Sequence, residues 1–256
     1  MGRNLIRLGV LAAMMVLLAG TATADTIFTA TSGSLSASAT FSVVGTNLVI
    51  TLANTSTADV TAPNQVLTAL FFTIAGNPTL TPVSAIVPAG NTILFAPSGN
   101  CTSGPCNVGG EWAYAAGLSG SPLGAYAGGS SSGFGLFGSF NFNGPNLQGP
   151  NALDGLQYGI TSAGDNPAVG NAAVTGQNAL IKNVVVLTLS GLPQNFVLDG
   201  KITNVSFQYG TALTEPNVPG QCTNGGCNTP VPEPASLVFF GTGLLGLAGL
   251  VRRRIS

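Results

Sequence analysis

Histidine is absent from the 256 residues, and charge is scarce, with seven Lys and Arg and eight Asp and Glu making 6% of the chain. Without His, a Ser-His-Asp or Cys-His arrangement has no base, and a metal site has no imidazole. The few charges are also segregated. Arg3 and Arg7 lie at the start, Arg252, Arg253 and Arg254 at the end, and only Lys182 and Lys201 stand between. Against these two lysines the body carries Asp25, Asp59, Glu111, Asp154, Asp165, Asp199 and Glu215, a net charge of −5. Such a body repels phosphate backbones, which excludes nucleic acid as a partner. At 45% hydrophobic residues the chain is also too apolar to be disordered. No body segment of a dozen residues keeps a 3.6-residue apolar period, so helices are not expected there. These absences leave a carboxylate enzyme, a binding module or a structural protein.

The two ends read as addresses. Arg3 and Arg7 precede an apolar run over residues 8–19, followed by Ala22-Thr23-Ala24. A basic start, about a dozen apolar residues and an A-x-A site make a secretory signal peptide over residues 1–24, cut between Ala24 and Asp25. An N-terminal membrane anchor is the alternative, and the run is short for one. At the other end Val231-Pro232-Glu233-Pro234 precedes the uncharged residues 235–251, and then Arg252-Arg253-Arg254. As a helix, 235–251 reaches about 25 Å, the short end of a bilayer span. The arginines favour a cytoplasmic tail and put the body on the far side of the inner membrane. Gly241, Gly243, Gly246 and Gly249 make this a loosely held span, suited to temporary residence; an ordinary tail anchor is the alternative.

The order of Pro232-Glu233-Pro234, apolar segment and Arg252-Arg253-Arg254 resembles the PEP-CTERM sorting signal of exosortase substrates in Gram-negative bacteria. The body is similar to exosortase-dependent surface proteins through Leu67-Thr68-Ala69-Leu70-Phe71-Phe72, Gly110-Glu111-Trp112-Ala113-Tyr114 and Gly155-Leu156-Gln157-Tyr158-Gly159-Ile160. The resemblance implies that a membrane transpeptidase-like exosortase cuts near Pro232-Glu233-Pro234. The body then passes to the cell surface or extracellular matrix of a biofilm. The resemblance implies no enzymatic activity and supplies no catalytic residue; no cofactor is expected.

Residues 25–210 read as one all-β domain, an antiparallel sandwich or jelly roll. Leu35, Ala37, Ala39, Phe41 and Val43 alternate with Ser36, Ser38, Thr40 and Ser42, and alternation resumes at Leu48, Ile50 and Leu52 after a Gly45-Thr46-Asn47 turn. That is a hairpin with one apolar and one hydroxylated face. Further strands are predicted at 66–74, 83–87, 93–95, 111–115, 137–142, 156–161, 181–189 and 202–209. The run Val184-Val185-Val186-Leu187 suggests a central strand buried on both faces. Residues 116–155, rich in Gly and Ser, read as a surface excursion, loosest at Gly128-Gly129-Ser130-Ser131-Ser132-Gly133. Residues 211–230, with three Pro and several Gly, read as a linker, and 231–256 as the sorting signal.

Four cysteines carry the strongest chemical signal in the body. In an exported chain Cys101, Cys106, Cys222 and Cys227 suggest two disulfides, with local pairing Cys101–Cys106 and Cys222–Cys227 favoured over crossed pairing. A Cys₄ zinc site has tolerable spacing but the wrong compartment. Gly129-Ser130-Ser131-Ser132-Gly133 matches G-x-S-x-G, yet no His base exists to activate the serine. Residues 133–138 match G-x-G-x-x-G without a following helix to hold a pyrophosphate. Glu111, Asp154 and Asp165 are candidate paired carboxylates of a glycosidase, against ordinary turn acids. Asp154-Gly155 and Asp165-Asn166 offer oxygen ligands for Ca²⁺ without regular ligand spacing. Trp112 and Tyr114 share one strand face. Outward they form a platform for sugar rings, and inward they are core, the commoner fate. The leading expectation is a non-enzymatic exported surface protein. An extracellular carbohydrate-binding module or adhesin is the alternative, with polysaccharide as partner.

Overall fold

The computed structural model describes residues 25–97, 100–134, 142–149, 153, 155–169 and 178–227. Among these the chain is all-β. In chain order the strands are β1 (Thr26–Ser32), β2 (Leu35–Val44), β3 (Asn47–Asn54), β4 (Leu67–Ile74), β5 (Thr81–Val87), β6 (Ile93–Leu94), β7 (Cys106–Asn107) and β8 (Ala113–Ala116). They continue as β9 (Ala127–Ser130), β10 (Ile160–Thr161), β11 (Leu180–Lys182), β12 (Val184–Ser190), β13 (Ile202–Tyr209), β14 (Asn217–Pro219) and β15 (Gln221–Cys222). Short 3-10 turns lie between some of them. One sheet runs β15-β1-β2-β3-β12-β5-β7. The other runs β14-β13-β4-β10-β11-β6, with β9 also paired to β4 and β8 to β9.

Two-residue turns set the register of the first sheet. Ser32 faces Leu35 and Val44 faces Asn47, so Gly33 and Gly45 each lead a turn, at φ 59° and 64°. Positive φ there matches the twist of the flanking strands, and only glycine adopts it without steric cost. The register then fixes the faces. Ala37, Ala39 and Phe41 of β2 are buried while Ser36, Ser38, Thr40 and Ser42 lie half-exposed on the outer face. Leu48, Ile50 and Leu52 of β3 and Val185, Leu187 and Leu189 of β12 continue the inner face. The second sheet supplies Leu70, Phe72, Ile74, Val205 and Phe207 to the same core. Phe41 meets Phe72 across the two sheets edge to face, ring centroids 5.4 Å apart. Each fully buried side chain of this size stabilises the fold by roughly 1.5–3 kcal/mol relative to exposure.

Several expectations are corrected. Continuous burial falls on β4, not β12. The outward-facing Ala69 and Phe71 of β4 are covered by a second cluster with Ala113, Ala115, Ala125, Phe134 and Phe142. Burial along β12 alternates, with Val184 and Val186 on the outer face. The single strand predicted at 181–189 is two strands in different sheets. The chain crosses between the sheets at Asn183, which holds φ 82°. Between the named strands pairing is antiparallel except for β10 and β11, which run parallel. Of the strand expected at 156–161 only β10 forms, and the one expected at 111–115 begins at Ala113. In the strand expected at 137–142, residues 137–141 lie outside the described residues.

The Gly-Ser segment is a second correction, because Ala127–Ser130 is the fully buried strand β9. A Cβ on Gly128 would stand 2.9 Å from Phe71 Cδ1, and one on Gly129 would stand 2.8 Å from Leu187 Cδ1. Glycine is needed here for close approach of other side chains, and the flexibility of an exposed loop is not its role. The expected linker is a third correction over residues 211–227. β14 pairs with β13, β15 pairs with β1, and Val218 is buried. The Glu215 carboxylate accepts the N–H groups of Thr211 and Ala212 and closes the turn into β14. β1 lies ahead of the first strand that the sequence predicts. The folded unit thus extends to residue 227.

Candidate functional site

The aromatic platform does not form. Trp112 is fully buried and Tyr114 is 5% exposed, both in the main core. The Trp112 indole N–H donates to the carbonyl of Tyr158 at 3.0 Å, and the Tyr158 N–H donates to the Ala179 carbonyl. These two bonds hold Tyr158 at φ 54°, unusual for an aromatic residue. Its ring then borders a polar cleft of about 280 Å³ lined by Asn100, Cys101, Cys106, Asn107, Glu111 and neighbours. The Tyr158 phenol is pushed above its ordinary value by burial first; the Asn100 hydrogen bond lowers it and the nearby Glu111 charge raises it again.

Of the three candidate carboxylates, the two described ones, Glu111 and Asp165, are not brought together. Glu111 borders this cleft, while Asp165 is buried elsewhere, accepting from the Val60 N–H at 3.1 Å and the Thr161 hydroxyl at 2.6 Å. Asp154 lies outside the described residues. With both Asp165 oxygens engaged in this way, the site reads as a fold-closing acid that ties the 55–66 loop to β10. Among the described residues no group of three or more His, Cys, Asp or Glu is placed to hold a metal ion. The serines of the G-x-S-x-G match are buried and turned to main chain. Ser131 Oγ donates to the Thr68 carbonyl at 3.3 Å, and Ser130 Oγ to the Ser132 carbonyl at 2.7 Å.

The cysteines pair locally, Cys101 with Cys106 and Cys222 with Cys227, at Cα separations of 6.1 and 5.9 Å. The second pair belongs to a staple that joins the two ends of the folded unit. Phe28 faces Cys222 and Thr29 faces Gln221. Beyond them the Asn224 side-chain oxygen accepts the Ile27 N–H at 3.0 Å, and its amide donates to the Asp25 carbonyl. The Gly200 N–H donates to the Gly226 carbonyl at 2.8 Å. The chemistry missed by sequence reading is this Asn224 bridge, because one asparagine in a Gly-rich stretch carries no pattern.

Four residues separate Cys227 from Pro232. After them come Pro232-Glu233-Pro234, the uncharged residues 235–251 and three arginines, the arrangement of an exported protein with a C-terminal address. Residues 230–254 match the PEP-CTERM protein-sorting motif. The chain carries this motif and is addressed by it to exosortase-dependent processing and the cell surface. No curated protein and no solved structure matches the chain. The expected processing residues Ala24, Pro232, Glu233, Pro234, Arg252, Arg253 and Arg254 lie outside the described residues, as do the expected signal peptide and the 235–251 segment. Among the described residues no helix is long and apolar enough to cross a membrane.

Proposed function

We propose that this chain is a non-enzymatic surface or extracellular-matrix protein of a Gram-negative bacterium. It is exported by the signal peptide over residues 1–24 and held briefly in the inner membrane by 235–251. An exosortase then cuts it near Pro232-Glu233-Pro234 and frees a stapled β-sandwich. The observation that carries this reading is the PEP-CTERM match at 230–254, placed directly after a domain that closes at Cys227. The dispersal of Glu111 and Asp165 and the main-chain bonding of Ser130 and Ser131 support a scaffold over an enzyme. The carbohydrate-binding alternative loses the platform it rested on, since Trp112 and Tyr114 pack inward. Intact-mass measurement of protein collected from the cell surface tests the proposal. The expected species begins at Asp25 and lacks Arg252, Arg253 and Arg254. A surface species with its full C-terminus overturns exosortase processing, and polysaccharide turnover lost in Glu111→Gln overturns the non-enzymatic part.

A further inference from the structure

The exposed large hydrophobic residues among those described are Val44, Val83, Leu123, Tyr126 and Val197. Strand register puts all five at or near one end of the sandwich. Val44 ends β2 at the turn into β3, and Ser190 at the end of β12 faces Asn47 at the start of β3. Val197 lies in the loop that follows, whose Gly191 and Leu192 N–H groups donate to the Thr46 carbonyl. Val83 is near the start of β5, where Thr81 faces Ser190. Leu123 and Tyr126 lie between β8 and β9 beyond the Phe72–Ala127 pair, and the Tyr126 N–H donates to Thr73 Oγ1 near the end of β4. In the same loop as Val197, the half-buried Phe196 carries the Lys201 ammonium 5.3 Å from its ring centroid.

Both chain ends leave from this end of the sandwich. β1 starts there at Thr26, opposite Phe41. β15 runs toward it, and the Gly226 carbonyl is bonded to Gly200 of the Val197 loop. From Cys227 to Ala235 there are eight Cα steps, which cannot span more than about 29 Å whatever their path. Charge is distributed to match. The near end holds Asp25, Asp199 and Lys201. Asp59, Glu111, Asp165, Glu215 and Lys182 lie in or beside the loops of the opposite end, a net −3 against −1 among the described residues.

We propose that the end formed by the 45–46, 75–80, 117–126 and 191–201 loops is a lipid-facing surface that rests on the bilayer while the tail holds the chain. This rests on the reading of 235–251 as a membrane span. Scattered apolar side chains with a lysine over an aromatic ring suit the headgroup boundary, and the more acidic far end is turned away from anionic lipid. Five isolated side chains do not anchor a domain by themselves, so cutting the tail releases it.

The test uses the full chain reconstituted into vesicles of phosphatidylethanolamine and phosphatidylglycerol with brominated acyl chains, carrying Leu123→Trp, Val197→Trp or, at the far end, Thr214→Trp. After subtraction of the Trp112 emission of the unsubstituted chain, the Leu123→Trp and Val197→Trp signals are expected to fall about two-fold, and the Thr214→Trp signal to stay unchanged. Equal quenching at both ends, or none at the near end in a chain that floats with the vesicles, overturns the lipid-facing surface alone. A chain that does not float with vesicles overturns the span reading and this inference with it. Hydrogen exchange of the unsubstituted chain guards against misfolded variants: amides in 117–126 and 191–201 must slow on vesicles, and unchanged rates count against the proposal.

Discussion

Single residues divide here into those whose environment follows from side-chain type and those whose environment does not. Trp112 illustrates the first kind: a large aromatic two residues from Tyr114 is core, and its one polar atom finds the Tyr158 carbonyl. Tyr209 illustrates the second. It is 1% exposed, and its hydroxyl has no hydrogen-bond partner, a cost no sequence pattern announces. Burial alone drives its phenol pKa well upward, and burial first and then Tyr126 push Tyr114 up to about 12. The sign follows from linkage. A phenol that holds its proton more tightly when folded contributes stability below its ordinary value of 10.0, and that stability is lost as pH rises toward about 12. Urea unfolding is therefore expected to show stability falling through this window. Tyr209→Phe should gain about 1 kcal/mol at neutral pH by removing the unpaired hydroxyl, and should lose less on the alkaline side. A loss of stability in Tyr209→Phe at neutral pH would mean that the hydroxyl has a partner after all.

At the scale of elements, alternation was legible in the long strands β2 and β3 and missed in β1, whose Phe28 and Ala30 alternate with threonines. β2, β3, β4 and β13 lie within a residue or two of their predicted bounds: in β2 and β3 burial alternates with the period of the pleat, whereas β4 reads as a short, nearly continuous apolar run. Other elements were not legible because their pairing depends on backbone alone. β9 reads Ala-Gly-Gly-Ser, β14 Asn-Val-Pro and β15 Gln-Cys, and no side-chain pattern distinguishes them from loops. The crossing between β11 and β12 is a third kind of case. Apolar residues flank it closely, Ala179-Leu180-Ile181 before and Val184-Val185-Val186-Leu187 after, and the break falls at the polar pair Lys182-Asn183, with Asn183 left-handed. Asn tolerates that region and a β-branched residue does not. Asn183→Val is accordingly expected to destabilise by roughly 1–3 kcal/mol, whereas Asn183→Gly stays near neutral. Parallel thermal melts of the two variants check this, and equal melting points would remove backbone conformation as the reason for the crossing.

On the scale of the whole molecule, the C-terminal motif says more of the function than the domain does. The Pro-Glu-Pro tail was readable because its elements are contiguous in sequence, whereas the staple joins Asp25 and Ile27 to Asn224 across almost the entire folded chain. Such long-range closure is invisible to local patterns, and it is what moved the domain boundary from 210 to 227. The consequence can be tested by length. β14 covers the edge of β13, and β15 with the Asn224 bridge covers the start of β1. A chain ending at residue 210 would leave both edges unpaired, lose the burial of Val218 and keep two open ladders of N–H and C=O groups. Residues 25–227 made in an oxidising compartment are therefore expected to elute as a stable monomer in size-exclusion chromatography. Residues 25–210 should unfold at lower urea and associate through the exposed edges. The Cys222→Ser/Cys227→Ser double variant separates crosslink from strand. Loss of a six-residue loop closure costs about 2 kcal/mol in the chain-entropy model. If the double variant stays monomeric while the 25–210 chain associates, edge coverage by β14 and β15 is what keeps the domain single. If the 25–210 chain is as stable and monomeric as the longer one, residues 211–227 are a leash lying on the domain, and the boundary returns to 210.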